Sequence, residues 1–235
     1  MEKGKLYVIA TPIGNLGDIS FRAVEILKSL PFVLAEDTRE SIKLLRKYEI
    51  NTQLISYRDQ NHDRIIEKVK EKLDIGLNLG LISDSGTPLI SDPGFKLVRE
   101  LRELGYVIES IPGASAVISA LSISGLPTDR FIFLGFLTKS KERRKDILKR
   151  YFSLGNTVII YESPNRLLSL LNTINNICPE NLTVVARDLT KMREEVLSGS
   201  SKELEEILLK REFDKHPHGE YVVMVYPLSQ KELCS

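Results

Sequence analysis

Leu77-Asn78-Leu79-Gly80-Leu81-Ile82, running into Ser83-Asp84-Ser85-Gly86-Thr87-Pro88 and then Ser91-Asp92-Pro93-Gly94, is the stretch that decides the fold. A short apolar run reads as a buried strand, and the Gly/Pro punctuation after it reads as a loop. Phe95 to Leu104 then reads as a helix that stops at Gly105. Strand, loop and helix recur in both directions from this point. Upstream, Leu6–Ala10 is strand-like and Ser20–Leu30 helical, Phe32–Ala35 strand-like with a helix through Ile42, Leu45 and Tyr48, and Leu54–Ser56 is a short strand. Arg64–Leu73 sets Ile65, Ile66, Val69 and Leu73 on one helical face. Downstream, Val107–Ile111 is a fifth strand and Ala114–Ser124 an apolar helix. Such alternation predicts a parallel sheet with helical crossovers.

Gly125-Leu126-Pro127-Thr128-Asp129 breaks the pattern. The expectation is an α/β chain of two domains: residues 1–125 built on a parallel sheet, and a smaller mixed α/β domain over 126–235, with a ligand cleft between them. In the second part Phe131–Phe136, Thr157–Tyr161, Leu182–Ala186, Glu194–Leu197 and Tyr221–Tyr226 read as strands. Asn165–Ile177 and Lys202–Lys210 read as helices.

Lys plus Arg is 33 and Asp plus Glu is 32, so bulk charge does not make this a protein that coats nucleic acid. One local run departs from the balance. Lys139, Lys141, Arg143, Arg144, Lys145, Lys149 and Arg150 are offset only by Glu142 and Asp146. A solvated helix face is the ordinary fate of such a run; an RNA-backbone contact is the functional reading. Cys178 and Cys234 sit in no metal-ligand spacing and read as free thiols, and His62, His216 and His218 read as exposed or loop histidines, so no metal is expected. No apolar run approaches the ~20 residues of a membrane span. Met1–Lys5 carries no apolar signal core, which predicts a cytoplasmic location.

Ligands of an open parallel sheet bind beyond the strands' C-terminal ends. The unusual residues gather there: Thr11-Pro12-Ile13-Gly14-Asn15, Glu36-Asp37-Thr38-Arg39, the Ser83–Gly94 loop, and Pro112-Gly113-Ala114-Ser115-Ala116. None of these is a dinucleotide fingerprint or a phosphate loop. The Ser83–Gly94 loop holds two aspartates and no Lys or Arg, which suits a cationic ligand better than a polyphosphate. Glu36, Asp37 and Arg39 are the catalytic candidates: a carboxylate could accept a proton and the arginine could hold a phosphate or an oxyanion. The alternative is that Asp37 or Thr38 caps a helix while Arg39 pairs with it. Arg187 and Lys191 are further candidates.

Eight strings run in order along the chain: LYVIATPIGNLGDIS (6–20), AEDTR (35–39), LISDSGTPLISDPG (81–94), SIPGASA (110–116), SGLPTDRFIFLGF (124–136), YESPNR (161–166), ARDLTKMREEVLSG (186–199) and HGEYVV (218–223). On them the chain resembles the tetrapyrrole-methylase superfamily, and within it the bacterial 16S ribosomal RNA cytidine 2′-O-methyltransferases. Ser85 stands where that family usually has Ala, and His218 where it usually has Lys. The resemblance implies S-adenosylmethionine as methyl donor, held between two α/β domains by Pro12, Asp84, Ser85, Gly86, Thr87, Ile90, Ser115, Ala116, Tyr161 and Asp188. It further implies a homodimer and, as target, a cytidine ribose in the decoding region of the small ribosomal subunit; the charge run, read for itself, sets Lys139, Lys141, Arg143, Arg144 and Lys145 against RNA. Two other functions stay open at this point. One is a methylase of a small corrinoid, which would typically carry a GxGxGD-like first loop; the other is a non-catalytic RNA- or nucleotide-binding module.

Overall fold

The computed structural model describes residues 2–228, and Cys234 lies outside them. The chain divides between Ser115 and Ala116 into two compact units.

The first unit is built on five parallel strands: β1 (Leu6–Ile9), β2 (Phe32–Ala35), β3 (Gln53–Ser56), β4 (Leu79–Ile82) and β5 (Ile108–Ile111). They lie in the order β3-β2-β4-β1-β5. Leu79 of β4 pairs with Leu6 on one side and Phe32 on the other. Helices α1 (Phe21–Ser29), α2 (Thr38–Lys47), α3 (His62–Asp74) and α4 (Phe95–Glu103) supply the crossovers. Two apolar clusters show which face each helix covers. Leu6, Leu34, Leu79 and Leu81 pack with Ile65, Ile66, Val69 and Leu73 of α3 and with Leu97 and Leu101 of α4. Ile9, Val33, Ala35, Ile82 and Ile111 pack with Ala23 and Leu27 of α1 and Leu45 of α2.

β4 is buried along its whole length, and its neighbours press close at Gly80. A Cβ there would stand 2.9 Å from Leu30 Cδ1 and 3.2 Å from Val33 Cγ2. Valine favours strands, yet Gly80→Val should destabilise the unit by about 1–3 kcal/mol through overpacking. Denaturant titration reads this as a lower midpoint with an unchanged slope.

The second unit carries α5 (Ala116–Ser124), β6 (Phe131–Phe136), α6 (Lys141–Phe152), β7 (Thr157–Glu162), α7 (Leu167–Ile177), β8 (Asn181–Arg187), β9 (Glu195–Gly199), α8 (Ser201–Lys210) and β10 (Tyr221–Pro227). Its sheet runs β6-β7-β10-β8-β9. β6 and β7 are parallel, and β10 lies antiparallel to both β7 and β8. The core joins Val158, Ile160, Val185, Val223 and Val225 to Leu148 and Phe152 of α6, to four apolar residues of α7, and to Leu204 and Leu208 of α8.

The division at Ser115 places α5 in the second unit, whereas the sequence pattern puts the boundary after Gly125. α5 buries Val117, Ala120 and Leu121 and packs against β10, a partner about a hundred residues away that local periodicity does not reveal.

Candidate functional site

Neighbouring strands β1 and β4 send their following helices, α1 and α4, to opposite faces of the first sheet. β2 and β4 do the same with α2 and α4. Such a change of face between neighbouring strands marks the usual ligand position in an open α/β sheet.

Hydrogen bonds tie the loops together. Thr11 N donates to Gly86 O at 2.8 Å and Gly86 N donates to Thr11 O at 3.1 Å. The Thr11 hydroxyl reaches Ser83 O at 3.2 Å, and the Thr87 hydroxyl reaches Ala114 O at 3.2 Å. The loops after β1, β4 and β5 are thus one connected frame. Gly86 has φ +81, and a Cβ added there would meet Ile13 Cγ2 at 3.3 Å. Leu89 and Ser91 also hold positive φ, at 74 and 68. Non-glycine residues keep such angles only where their surroundings over-determine them. Pro12 is buried behind this frame, while Asp84, Ser85 and Ile90 are exposed on it. Ala114 and Ser115 are half-buried.

The loop after β2 joins through Asp37, whose backbone N donates to Asp84 Oδ1 at 2.9 Å. Asp37 caps α2 by accepting from Arg39 N at 2.9 Å. It also takes the Arg39 guanidinium with both oxygens, at 3.0 and 2.6 Å. These bonds from Arg39 hold the Asp37 carboxyl well below the usual carboxylate range. The capping alternative thus describes what Asp37 and Arg39 do in this chain. Glu36 is different. Burial pushes its carboxyl up, the neighbouring Asp84 adds to this, and Arg58 opposes it. Arg58 Nε donates to the Glu36 carbonyl at 3.3 Å.

Burial likewise raises Asp92 to about 6, against the hydrogen bond from Ser83, with Glu36 and Asp84 adding to the rise. Glu36 and Asp92 therefore feel each other and Asp84 from two strand ends, those of β2 and β4. The folded Asp92 carboxyl binds its proton more tightly than the ordinary value of about 3.9 allows. Its contribution to stability grows as pH falls from 6 towards 4 and is lost as pH rises through 6. Asp92→Asn should then raise Tm at pH 7 and flatten the pH dependence of Tm between pH 4 and 6. An unchanged slope in that window would remove Asp92 from the cluster.

In the second unit, Tyr161 packs edge-on against Phe133, with ring centroids 4.8 Å apart, and lies 5.6 Å from Phe136. Asp188, at φ +49, accepts from Glu220 N at 3.0 Å and from Arg187 Nε at 3.3 Å. Ala116 opens α5. Lys139, Lys141, Arg143 and Lys145 are exposed. Arg144 is not: it is 2% exposed and its guanidinium donates to Ser169 and Thr173. The expected RNA contact by Arg144 is corrected on that ground. Arg144 lies four and eight residues before Leu148 and Phe152, so it shares the inward stripe of α6, a period the charge of the run had hidden.

His62 also departs from expectation. It is buried between the Tyr57 hydroxyl, 3.1 Å from Nδ1, and Glu100, 2.9 Å from Nε2. Cys178 is a free thiol. No cluster of metal-ligating side chains occurs among the described residues. No helix among them is long and apolar enough to cross a membrane. Sequence reasoning missed Arg58, which joins the strand-end loops through the Glu36 carbonyl and carries no motif that would have flagged it.

Residues 5–205 match the profile of the tetrapyrrole (corrin/porphyrin) methylases. Ribosomal RNA small subunit methyltransferase I of Rickettsia prowazekii is 45% identical over 86% of this chain and 72% of its own length. The protein of that name from Escherichia coli O157:H7 is 42% identical over 95% of this chain and 78% of its own. The one from Thermotoga maritima is 40% identical over 97% of this chain and 100% of its own. Among solved structures, a cobalt precorrin-4 methyltransferase superposes with a TM-score of 0.68 at 16% identity, covering 94% of each chain. A diphthine synthase does so with 0.69 at 15% identity, covering 97% of this chain and 92% of the other. These two share the fold. The length of the profile match and the identity to the curated relatives together place this chain in the tetrapyrrole (corrin/porphyrin) methylase family, beside the ribosomal RNA small subunit methyltransferases I.

Proposed function

We propose that this chain transfers a methyl group from S-adenosylmethionine to the ribose 2′-hydroxyl of a cytidine in 16S ribosomal RNA. The observation that carries the substrate class is identity. Relatives named as small-subunit ribosomal RNA methyltransferases share 40–45% of residues over most of the chain, while the tetrapyrrole enzymes among the solved structures share 14–17%. The first loop, Thr11-Pro12-Ile13-Gly14-Asn15, also lacks the glycine-rich pattern typical of the corrinoid branch.

The strand-end frame suits the donor. Gly86 lets the Thr11 and Ser83–Gly94 loops meet where a Cβ would press on Ile13, and small residues in such a frame suit close backbone approach to an adenosine. Carboxylates Asp84 and Asp92, in a loop without Lys or Arg, favour a sulfonium. In this reading Pro12, Ser85, Gly86, Thr87, Ile90, Ser115 and Ala116 cradle the cofactor. Tyr161 and Asp188 are assigned to it by resemblance. When bound, S-adenosylmethionine supplies an electrophilic methyl carbon. The chain's own part is mainly orientation of the hydroxyl in line with that carbon. Glu36, with its raised carboxyl, is the better proton acceptor, because the Asp37 oxygens are engaged by Arg39. Arg39 keeps N–H groups beyond those on Asp37, and its side chain is 86% exposed, so it can reach a phosphate.

The test is incubation of purified protein with labelled S-adenosylmethionine and small ribosomal subunits lacking the modification, followed by nuclease digestion and nucleoside mass spectrometry. The expected product is 2′-O-methylcytidine. Label on a base, or on a corrinoid offered in parallel, would replace this substrate with another. Absence of any S-adenosylmethionine binding by calorimetry would favour a non-catalytic module. The same reading includes a homodimer, checked by light scattering, and a cytoplasmic location, checked by fractionation.

A further inference from the structure

α6 carries the most concentrated positive charge in the chain, and its one inward arginine belongs to a buried ionic group. Arg144 Nη2 donates to Ser169 Oγ at 2.8 Å, to Thr173 Oγ1 at 3.1 Å and to Ser169 O at 3.3 Å, all on α7. Glu162, at the end of β7, has a fully buried side chain. Its Oε1 accepts from Arg166 Nη2 at 2.6 Å and from Ser163 N at 2.8 Å. Arg166 Nη1 donates to Leu137 O at 3.0 Å, just ahead of Ser140, the N-cap of α6. The segment leading into α6 is therefore gripped at Leu137 by Arg166, and the helix is gripped four residues beyond its cap by α7.

Stability does not explain this arrangement. Two arginines face one glutamate: Arg144 and Glu162 are buried, while Arg166 leaves 24% of its side chain in solvent. Arg144 Nε and Glu162 Oε2 are both buried without a hydrogen-bond partner. Burial lowers the Arg144 guanidinium pKa, with Glu162 opposing and Arg166 adding to the fall. An incompletely satisfied buried ion group is commonly neutral or costly relative to apolar packing. What it does supply is a fixed rotation of α6 about its axis. With Arg144, Leu148 and Phe152 turned inward, Lys141, Arg143, Lys145, Lys149 and Arg150 are all exposed.

We propose that Arg144, Glu162 and Arg166 are positioning residues, which set the rotation of α6 and hence the register of its outward cations on the RNA backbone. This rests on the ribosomal RNA reading above. Arg144 touches no RNA; it acts through the helix it locks.

The test compares Arg144→Met with a surface control, the Arg143→Ala/Lys145→Ala double variant. Each is assayed for RNA KM and kcat, for the salt dependence of binding to small ribosomal subunits, for S-adenosylmethionine Kd and for Tm. Removing phosphate contacts in the control should flatten the logarithmic salt slope by roughly 0.7–0.9 per contact. Arg144→Met should flatten it too and raise RNA KM by about tenfold, with kcat, cofactor Kd and Tm held. Arg144→Lys, which keeps the charge and one donor to α7, should recover part of the loss. A folded Arg144→Met protein with parental RNA KM and salt slope overturns the proposal while the flattened control keeps the RNA reading. A parental slope in the control removes α6 from the RNA and overturns the proposal, while the ribosomal RNA reading stands or falls on the methyl-transfer assay. Should Arg144→Met fail to fold, Arg166→Lys is read by the same two measures, since it loses the simultaneous grip on Leu137 and Glu162 but keeps the charge.

Discussion

Gly86→Leu protein is expected to fold and to bind S-adenosylmethionine at least about 100-fold more weakly, a loss near 2.8 kcal/mol at 1.4 kcal/mol per tenfold. Two effects combine. The φ of +81 at this position is one that a side chain with a Cβ adopts only at a cost of roughly 1–2 kcal/mol. The leucine side chain also starts 3.3 Å from Ile13 Cγ2 and 3.8 Å from the Ala114 carbonyl, so it must push apart the loops that form the proposed cradle. Total stability of about 5–15 kcal/mol absorbs the first effect. The second falls on any ligand that uses the cradle. Gly86→Ala separates them, because it carries the backbone cost with little of the overlap. Calorimetry gives the affinity and circular dichroism the fold. A folded Gly86→Leu protein with parental affinity would move the cofactor to another part of the chain.

Glu36→Gln is expected to lower the rate of methyl transfer by about 10²–10⁴-fold, the usual contribution of a general base, with cofactor and RNA affinities held. Asp37→Asn should stay near the parental rate. Asn caps a helix as well as Asp does, and the Asp37 carboxyl is held too acidic by Arg39 to accept a proton readily. Arg39→Ala should act instead on RNA placement and raise RNA KM. The rate of the parent should fall as pH is lowered through the Glu36 transition, which burial and Asp84 set above the ordinary glutamate value. Single-turnover transfer to small subunits across pH 5–8 checks both. A parental rate in Glu36→Gln would return the whole Glu36–Arg39 loop to architecture.

Much of the fold was legible because each βα unit declares itself locally. The apolar run Leu79–Ile82, its Gly/Pro loop and the periodic helix beginning at Phe95 lie within a couple of dozen residues, and the structure keeps all three. The frame of the candidate site was legible for the same reason, since the loops that hold Gly86, Asp84 and Glu36, which the structure joins by hydrogen bonds, are the ones the pattern singled out. What sequence hid were matters of distant partnership. α5 looks like one more crossover until β10 is found beside it. Arg144 looks like one more surface cation until α7 offers Ser169 and Thr173. His62 looks like a loop histidine until Tyr57 and Glu100 close on it. The division of labour between Glu36 and Asp37, adjacent acids of the same charge, comes from the direction of Arg39 and the depth of burial.

The place of β10 governs when the protein can fold during synthesis. All five strands of the first sheet lie within the first 111 residues, so that unit can close while the remainder is still being translated. The second sheet cannot. Its central strand, between β7 and β8, is the last to be made, and Val222 to Val225 are buried in the finished core. Until Tyr221–Pro227 leaves the ribosomal exit tunnel, the β7 edge of β6–β7 and the β8 edge of β8–β9 lack the strand that joins them. A premature stop codon at Tyr221 would remove β10 with all that follows it, sparing the nascent first unit and sending the rest to proteolysis.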